Sequence, residues 1–578
     1  MSPGNGASEA LRLGVVVSPP PANASFVAVA GLSDPSAVSI QVAGGVLAGM
    51  YMTLTSGVLS GGCAGNYAAP AGDVVLTDGA DRAAATWGTS FPPPPPPPIV
   101  TIDVANVTHT INPKFSGCHL DPGYTQQPRG WTANLLYGSD FSQGTMHVPS
   151  WGLVADAGVA PQMGSGGLPI PPFNGKPSQP LLFSNAGASG WGGLRNRGMG
   201  GEGLALVAGG VYEGFVFVAG AAGLPMRVQL VDFTSNATLA ESALSVPAAP
   251  AGTMVRVNFT LPAASAGTAC VPIAAGSDPS IDCAKTPNAD HVCVRCGGEL
   301  RVQFDVATSG GTTPPYAALV YLGYAWLQPG AWGRVGDLPV LKSAGDAVSA
   351  MGINVLRQGG TVSQSFAWKD WRGDPWARPA MGHVWGDSLV DPWGPFEMMA
   401  LADYMGFEMI LTLAYDLNKA EDWADLVEYV WGGAATTWGA QRIADGHAEP
   451  YNISIFELGN EQQNPDFVAQ VSAMEARATS LGRPGQLRWM YPTNDGVSAA
   501  TASALVAAGI APNRVMPDIH IGAGGALAVA QADFAANPAF GQSAINCETN
   551  AGTHDMGRAL GEAADLIAWF SALPPFAD

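Results

Sequence analysis

Two carboxylates end short apolar runs of this sequence. Glu461 closes the run 455–461, and Glu548 closes the run 544–548. The carboxyl end of a buried parallel strand delivers its last residues into a cleft, so both carboxylates could reach one cleft. Two facing carboxylates are the minimal apparatus for glycoside hydrolysis, and Asn460 would donate a hydrogen bond to a sugar hydroxyl. Taken alone, a Glu that closes a strand is better explained as a solvated loop carboxylate, and the presence of the second carboxylate favours a site.

From near residue 335 the sequence alternates between strand, loop and helix patterns. These elements would position the two carboxylates. Short apolar strands alternating with helices predict a parallel sheet with helices packed on it. The predicted strands are 353–356, 409–413, 453–458, 487–491, 516–521 and 543–547, and the predicted helices include 396–404, 423–430 and 557–570. With a strand near Phe115 counted first, these are strands one to seven of an α/β fold, a (β/α)8 TIM-type barrel. Its eighth strand is not visible in the sequence.

Further polar residues would reach the mouth of such a barrel, where the carboxyl ends of the strands meet. Arg357 follows strand two, and His520 ends strand six beside Asp518. Alone, Arg357 is equally well explained by a buried ion pair, and His520 by a core histidine with satisfied hydrogen bonds. Glu457 shares the strand parity of Glu461 but lies deeper, so we interpret it as structural.

The segment after strand two is rich in tryptophan: Trp368, Trp371, Trp376, Trp385 and Trp393. The flat apolar face of an indole suits a sugar ring, and its N–H can bind a hydroxyl. We therefore predict that Trp368 and Trp385 contact the substrate. The alternative is a cluster in which these rings pack on one another.

The remaining sequence divides into distinct regions. Residues 1–91 alternate short apolar runs with turn residues and predict a β-rich N-terminal region, either an irregular appendage or a trefoil-like fragment. The consecutive prolines 92–98 predict a stiff polyproline II linker. Residues 99–180 would hold the first barrel strand and its loop. Period-two alternation over 181–328 predicts an inserted β-sandwich, and 329–578 would complete the barrel.

The composition limits the partners of this chain. Only 12% of its 578 residues are charged, and the formal net charge is −21. Sparse lysine and arginine argue against nucleic acid and against anionic membranes. No apolar run is long enough to cross a membrane, and no signal peptide is visible. A weakly charged, Gly- and Pro-rich chain fits an extracellular or cell-wall protein that acts on neutral polymers.

Four cysteines are clustered in the predicted sandwich: Cys270, Cys283, Cys293 and Cys296. The Cys293-x-x-Cys296 pair could be half of a zinc site. The spacing to the other two matches no ordinary zinc finger, so we favour two local disulfides.

Several motifs together resemble glycoside hydrolase family 51, most closely the plant-type α-L-arabinofuranosidases. The resemblance covers roughly residues 99–572. It is carried by Gly459-Asn460-Glu461, Leu356-Arg357-Gln358-Gly359-Gly360, Phe366-Ala367-Trp368-Lys369, Arg378-Pro379, His383 and Trp385. It implies a clan A barrel with a carbohydrate-binding-like sandwich inserted near its start.

The resemblance also implies roles for individual residues. Glu461 matches the acid/base and Glu548 the nucleophile of a retaining mechanism that uses no metal or cofactor. Asn460 matches the amide that contacts the 2-hydroxyl of the sugar. Asp121 falls where the family has a substrate-binding Glu. Arg357 and His520 match active-site positions that support the two carboxylates.

The sequence departs from the family at several positions. Gln358 stands where the family has Pro, Thr549 where it has an aromatic residue, and Gly522 where it has Tyr. The chain ends at Asp578, before an eighth strand and the C-terminal β-sandwich typical of the family. We therefore expect either a truncated chain or a protein that has lost activity.

The resemblance implies release of terminal non-reducing α-L-arabinofuranosyl residues from arabinose-containing polysaccharides or glycoproteins. One alternative is a catalytically impaired protein that binds cell-wall carbohydrate. Another is a related glycosidase, such as a β-xylosidase or endoglucanase, because the same two carboxylates serve different sugar rings.

Overall fold

The computed structural model divides the chain into two compact units, Met1–Asn106 and Val107–Asp578. It describes the strands of the first unit and, in the second, residues 117–120, 131–141, 151–163, 173, 178–183, 190–250, 253–274, 277, 281, 293–305, 318–365, 367–379, 393–493, 497–520, 523–540, 545 and 547. The predicted linker 92–98 lies outside the described residues.

The first unit is built from short antiparallel strands. They are β1 (Leu11–Arg12), β2 (Ala28–Val29), β3 (Ala37–Val42), β4 (Met50–Thr55), β5 (Val58–Cys63), β6 (Val74–Thr77) and β7 (Arg82–Ala84). Five form one sheet in the order β5-β4-β3-β6-β7, and β1 pairs with β2. The strands agree with the predicted β-rich character of this region.

The second unit begins with β8 (Gly117–Leu120), after which the chain enters a β-sandwich. Its strands are β9 (Trp151–Ala155), β10 (Pro161–Met163), β11 (Gln179–Phe183), β12 (Trp191–Asn196), β13 (Val211–Ala219), β14 (Pro225–Asp232), β15 (Ala237–Ser245), β16 (Val255–Pro262), β17 (Val271–Pro272), β18 (Val294–Arg295), β19 (Gly298–Asp305) and β20 (Ala318–Pro329). Two antiparallel sheets have the orders β10-β11-β20-β13-β16 and β15-β14-β19-β12-β9. The predicted start at residue 181 is wrong, because β9, β10 and the start of β11 precede it.

The sandwich forms because its strands alternate. In β16, Val257, Phe259 and Leu261 are buried, whereas Asn258 and Thr260 between them are exposed. Successive side chains of a strand point to opposite faces, so one face enters the core between the sheets and the other meets solvent. The predicted insertion between the first and second barrel strands is therefore present.

The rest of the second unit alternates helices and parallel strands. The strands are β21 (Val355–Gln358), β22 (Glu408–Leu413), β23 (Ile455–Leu458), β24 (Arg488–Tyr491) and β25 (Val515–Pro517). The helices are α1 (Lys342–Ala350), α2 (Pro395–Met405), α3 (Ala420–Trp431), α4 (Thr437–Ala444), α5 (Phe467–Ser480), α6 (Ala499–Ala507) and α7 (Ala523–Ala536). No helix in the described part of the chain is both long and apolar enough to span a membrane.

One parallel sheet holds these strands in chain order, β8-β21-β22-β23-β24-β25. A parallel bridge from Asp518 to Ile545 continues the sequence on the far side of β25. Six strands thus lie side by side in chain order, and a bridge at Ile545 follows them. Closure of the sheet into an eight-stranded barrel stays a prediction.

Both faces of this sheet are buried. On one face, Leu356, Leu411 and other strand residues pack against the helices in a large apolar cluster. On the other, Val355, Ile410, Met490 and Met516 form a separate cluster. Burial on both faces explains why the strands are nearly continuous apolar runs in the sequence.

The cysteine cluster of the sandwich contains a disulfide between Cys270 and Cys296. Cys293 is also disulfide-bonded. The two cysteines of the Cys-x-x-Cys motif therefore do not pair with each other. The preference for disulfides over a zinc half-site is confirmed for Cys270 and Cys296.

Removing this cross-link should destabilise the sandwich. The bond joins cysteines separated by 26 residues, and closing a loop of that size restricts the unfolded chain by about 3 kcal/mol. We expect the double variant Cys270→Ser/Cys296→Ser to unfold at a lower urea concentration than the wild type, and urea titration followed by circular dichroism measures this. An unchanged midpoint would contradict the prediction.

Candidate active site

A sharp turn follows β23 and carries the central carboxylate. Gly459 has φ 115°, and Glu461 has φ 52°, which is uncommon for a residue with a side chain. A Cβ on Gly459 would lie 3.1 Å from both Pro492 and Tyr415, so glycine suits this position for conformation and for space. The N–H of Gln462 donates to the carbonyl of Pro492 at 2.8 Å and fixes the end of the turn. Strained backbone of this kind is concentrated at functional sites.

The turn sends its two polar side chains to different environments. Asn460 is fully buried, whereas the Glu461 side chain is 41% exposed. The Oε1 atom of Glu461 lies 3.3 Å from Nδ1 of His520. His520 Nε2 in turn lies 2.6 Å from Oδ2 of Asp518. A chain of three side chains thus runs from the buried Asp518 to the exposed Glu461.

Neighbouring charges determine the protonation states of His520 and Asp518. Burial acts to lower the pKa of His520, but the hydrogen bond and negative charge of Asp518 outweigh it and raise that pKa to about 9. Burial likewise acts to raise the pKa of Asp518, yet His520 and Arg357 hold it below its usual value. At neutral pH His520 is therefore an imidazolium, hydrogen-bonded to Asp518 through Nε2 and within ion-pair distance of Glu461 through Nδ1.

A second network lies beneath Asn460. The guanidinium of Arg357 donates from Nε to Oε2 of Glu457 at 2.8 Å and from Nη2 to Oε1 at 3.0 Å. The same Nη2 donates to Oδ1 of Asn460 at 2.7 Å, and Thr412 donates its hydroxyl hydrogen to Oε2 of Glu457. Burial raises the pKa of Glu457 to about 7. The charge of Glu457 outweighs burial at Arg357 and raises the pKa of the guanidinium.

The ligand-type atoms of Glu457, Asp518 and His520 lie within 4.8 Å of one another, a grouping that could in principle hold a metal ion. Both oxygens of Glu457 already accept hydrogen bonds from Arg357. A protonated imidazole offers no lone pair to a metal. The donor set therefore fits an ion-pair network around Arg357 better than a metal site.

Four of the predicted site residues are brought together here, namely Arg357, Asn460, Glu461 and His520. The interpretation of Arg357 as part of a buried ion pair is correct, because it pairs with Glu457; its role in an active site stays a prediction. Asp121, Trp385 and Glu548 lie outside the described residues. Near the last of these, the N–H of Cys547 donates to Oδ1 of Asp518 at 3.1 Å.

The segment that carries these two networks is similar to a known protein family. Residues 347–521 match the family model of the alpha-L-arabinofuranosidase 1 domain. The matched segment contains Arg357, Glu457, Asn460, Glu461 and His520. It is therefore the part of the chain most similar to arabinofuranosidases.

Curated alpha-L-arabinofuranosidases are also similar to this chain, over part of their length. A probable alpha-L-arabinofuranosidase C of Aspergillus fumigatus is 30% identical over 168 residues, which are 26% of this chain and 33% of the relative. An intracellular exo-alpha-(1->5)-L-arabinofuranosidase of Bifidobacterium longum is 28% identical over 132 residues, 22% of this chain and 23% of the relative. The chain thus spans about a third or less of the length of these curated relatives.

Among solved structures, the fold is similar to that of the arabinose-bound MgGH51 α-L-arabinofuranosidase. The TM-score is 0.56 with 17% sequence identity, and the match covers 81% of this chain and 74% of that one. At this identity the likeness concerns the fold alone. It supports a barrel-and-sandwich arrangement like the one predicted from the sequence.

The prediction that Trp368 contacts a sugar is wrong. Trp368 is fully buried, and its indole N–H donates to the carbonyl of Asp422 at 2.8 Å. Its neighbour Lys369 makes ion pairs of 2.7 Å with Asp422 and Asp425 of α3. The apolar ring and the two ion pairs fasten the loop to the helix layer, so Trp368 has no free face for a ligand.

Other tryptophans of the loop are also structural. Trp371 and Trp393 are buried. Trp376 packs edge-on against Phe215 of the sandwich, with ring centroids 4.7 Å apart. It also lines a crevice of about 1020 Å³ between the sandwich and the helices. These rings are thus packed into the protein, but their ring contacts are with residues outside the loop, namely Trp131 for Trp393 and Phe215 for Trp376.

The sequence reasoning missed two residues that shape the site. Gln364 donates its side-chain amide to the backbone carbonyl of Asn460, and Thr412 holds Glu457. The alternation of side chains along the strands could have indicated Thr412, because this residue of β22 is paired in register with Glu457 of β23. Gln364 lies in the short 3-10 helix Thr361–Ser365, where no periodic pattern marks it.

Gly359 should not tolerate a side chain. A Cβ there would lie 2.0 Å from Cβ of Thr412, the residue that contacts Glu457. Overpacking of this kind costs about 1–3 kcal/mol, so we expect Gly359→Ala to lower the thermal unfolding midpoint. Gly433→Ala is the matched control, since nothing lies within 4 Å of the corresponding Cβ. Equal midpoints for the two variants would contradict the prediction.

The Asp518–His520 pair should make stability depend on pH. Because the pKa of His520 rises from 6.5 to about 9 on folding, its contribution is complete below about pH 6.5 and is lost as the pH rises through 9. We expect the free energy of unfolding to fall over this window in the wild type and to fall less in His520→Gln. Urea titrations at pH 6, 7.5 and 9 measure both, and parallel curves would refute the pairing.

Proposed function

We propose that this chain is a retaining glycoside hydrolase that releases terminal non-reducing α-L-arabinofuranosyl residues from arabinose-containing polysaccharides or glycoproteins. One observation carries the proposal. Within the segment similar to the arabinofuranosidase domain, Asn460 and Glu461 project from a strained turn at the carboxyl end of a parallel strand. That edge of a parallel barrel is where active sites are found.

In the proposed mechanism, Glu548 attacks the anomeric carbon while Glu461 gives a proton to the leaving oxygen. The resulting glycosyl-enzyme is hydrolysed by a water molecule that the same Glu461 deprotonates. This double displacement needs carboxyl groups about 5–5.5 Å apart. The bridge between Asp518 and Ile545 supports the assignment, because it brings the start of the strand that precedes Glu548 beside β25.

His520 and Asn460 would orient the reaction. The imidazolium of His520 attracts Oε1 of Glu461, and among the described residues no hydrogen bond engages Oε2. The second oxygen can therefore face the leaving group. Asn460 accepts a hydrogen bond from Arg357 through Oδ1, so its NH₂ group would donate to a sugar hydroxyl.

The remaining parts of the proposal rest on the sequence. The resemblance supports a plant-type enzyme with a closed (β/α)8 barrel, in which Asp121 and Trp385 contact the substrate. The weakly charged, acidic composition supports an extracellular or cell-wall location. It also supports a neutral carbohydrate rather than nucleic acid or a membrane as partner.

The proposal is tested with aryl α-L-arabinofuranosides that carry good and poor leaving groups. Glu548→Gln should abolish hydrolysis of both kinds. Glu461→Gln should slow the poor leaving group far more than the good one, because only the poor one needs a proton from the acid. Steady-state kinetics of the purified chain measure each case.

Glu449→Gln serves as a control of the same chemistry on an exposed loop, and it should leave both rates unchanged. A Glu461→Gln variant that slows both substrates equally would contradict the acid/base assignment. A folded wild type that binds arabinan without cleaving any substrate would favour the carbohydrate-binding alternative. Cleavage of aryl β-xylosides only would favour the related glycosidase.

A further inference from the structure

A polar layer lies above the apolar layer inside the parallel sheet. Arg357, Thr412, Glu457 and Asp518 come from β21, β22, β23 and the end of β25, and each is at most 2% exposed. Glu457 has no solvent-accessible surface at all. Both of its oxygens are already engaged by hydrogen bonds from Arg357 and Thr412, so any effect on the reaction passes through a neighbour.

Arg357 is that neighbour. Two of its N–H groups donate to the two oxygens of Glu457 at 2.8 and 3.0 Å. A forked pair of this kind fixes the plane of the guanidinium as well as its position. Thr412 adds a third hydrogen bond to the carboxylate and restricts the rotation of Glu457.

The fixed guanidinium determines which way the Asn460 side chain points. Arg357 has only donors, so the atom that lies 2.7 Å from Nη2 must be the carbonyl oxygen of the amide. The NH₂ group of Asn460 consequently faces the other way, with Thr361 Oγ1 at the long distance of 3.4 Å. The orientation of the amide follows from the fact that Arg357 can only donate hydrogen bonds, and it does not depend on where hydrogen atoms are placed.

Arg357 also stands between the two halves of the site. Its Nη2 lies 3.9 Å from Oδ2 of Asp518, and that oxygen holds His520, which contacts Glu461. A shift of the guanidinium would therefore move Asn460 directly and Glu461 through two intermediates.

We propose that Glu457 is a positioning residue: through Arg357 it holds Asn460 with its amide NH₂ directed at the substrate. The site is thereby restricted to sugars that present an acceptor oxygen at that point. The inference rests on the proposed function, because it takes Asn460 as a substrate contact. It extends that function to a buried carboxylate that touches no ligand.

The test is a double-mutant cycle on hydrolysis of an aryl α-L-arabinofuranoside. Displacing a group that orients the substrate typically costs about 10- to 100-fold in rate. We expect Glu457→Gln to lower kcat/KM by that factor, mainly through kcat, and Thr412→Val to lower it less. In an Asn460→Ala background the same two changes should cost much less, because only the longer route from Arg357 through Asp518 and His520 to Glu461 then remains. Equal losses in both backgrounds would overturn the proposal, as would a folded Glu457→Gln variant with wild-type kcat/KM.

Glu299→Gln is the matched control. Glu299 is also fully buried and pairs with two arginines, Arg197 and Arg301, but it lies in the sandwich. Its loss should reduce stability and leave kcat/KM of the folded protein unchanged. If Glu457→Gln does not fold, Thr412→Val carries the same cycle.

Crystal structures separate this inference from the proposed function. If the wild type hydrolyses nothing, the proposed function fails, but the position of Asn460 in Glu457→Gln or Thr412→Val still decides the inference. A rotated Asn460 side chain, or one found in several rotamers, supports it. An Asn460 that stays 2.7 Å from Arg357 in both variants, as in the wild type, refutes it.

Discussion

The buried pair of Arg357 and Glu457 is the interaction on which the rest of the site depends. Its partners come from β21 and β23, and Thr412 of the intervening strand β22 contacts the same carboxylate. These contacts therefore link three neighbouring strands at the same height in the sheet. Taking both charges out of water is costly, and well-packed apolar residues often stabilise a core as much or more. The pair is thus poorly explained by stability alone, whereas it fixes the direction of every donor around it.

The apolar layer beneath this pair explains why the chemistry lies at one edge of the sheet. Val355, Ile410, Met490 and Met516 fill the interior at the amino-terminal side of the strands. One step further along the strands, the same face carries charged and hydroxyl groups. Polarity therefore rises toward the carboxyl ends, and only Glu461 of the network described above is substantially exposed. The described network thus keeps its supporting charges buried and leaves the carboxylate of Glu461 accessible.

Sequence reasoning predicted those strands that a periodic pattern of apolar residues marks. The parallel strands follow from continuous apolar runs, and the sandwich strands follow from alternation such as that of β16. Glu461 and His520 were found because each follows a predicted strand. The start of the sandwich was misplaced because β9 and β10 are short and lie well before β11 in the sequence. The partner of Arg357 was not assigned because one sequence gives the parity of Glu457 but not which strands meet across an interior.

The tryptophan loop shows where chemical reasoning from residue type fails. An indole in a Gly- and Pro-rich segment suits a sugar, but it suits a helix surface equally well, and only burial separates the two. Trp368 and Lys369 bind the start of the loop to α3, and Trp376 binds a later part to Phe215 of the sandwich. The loop therefore joins the two layers of the second unit. Motifs that carry a family resemblance can thus act at a distance from the substrate, by fixing the framework from which Arg357 and Asn460 project.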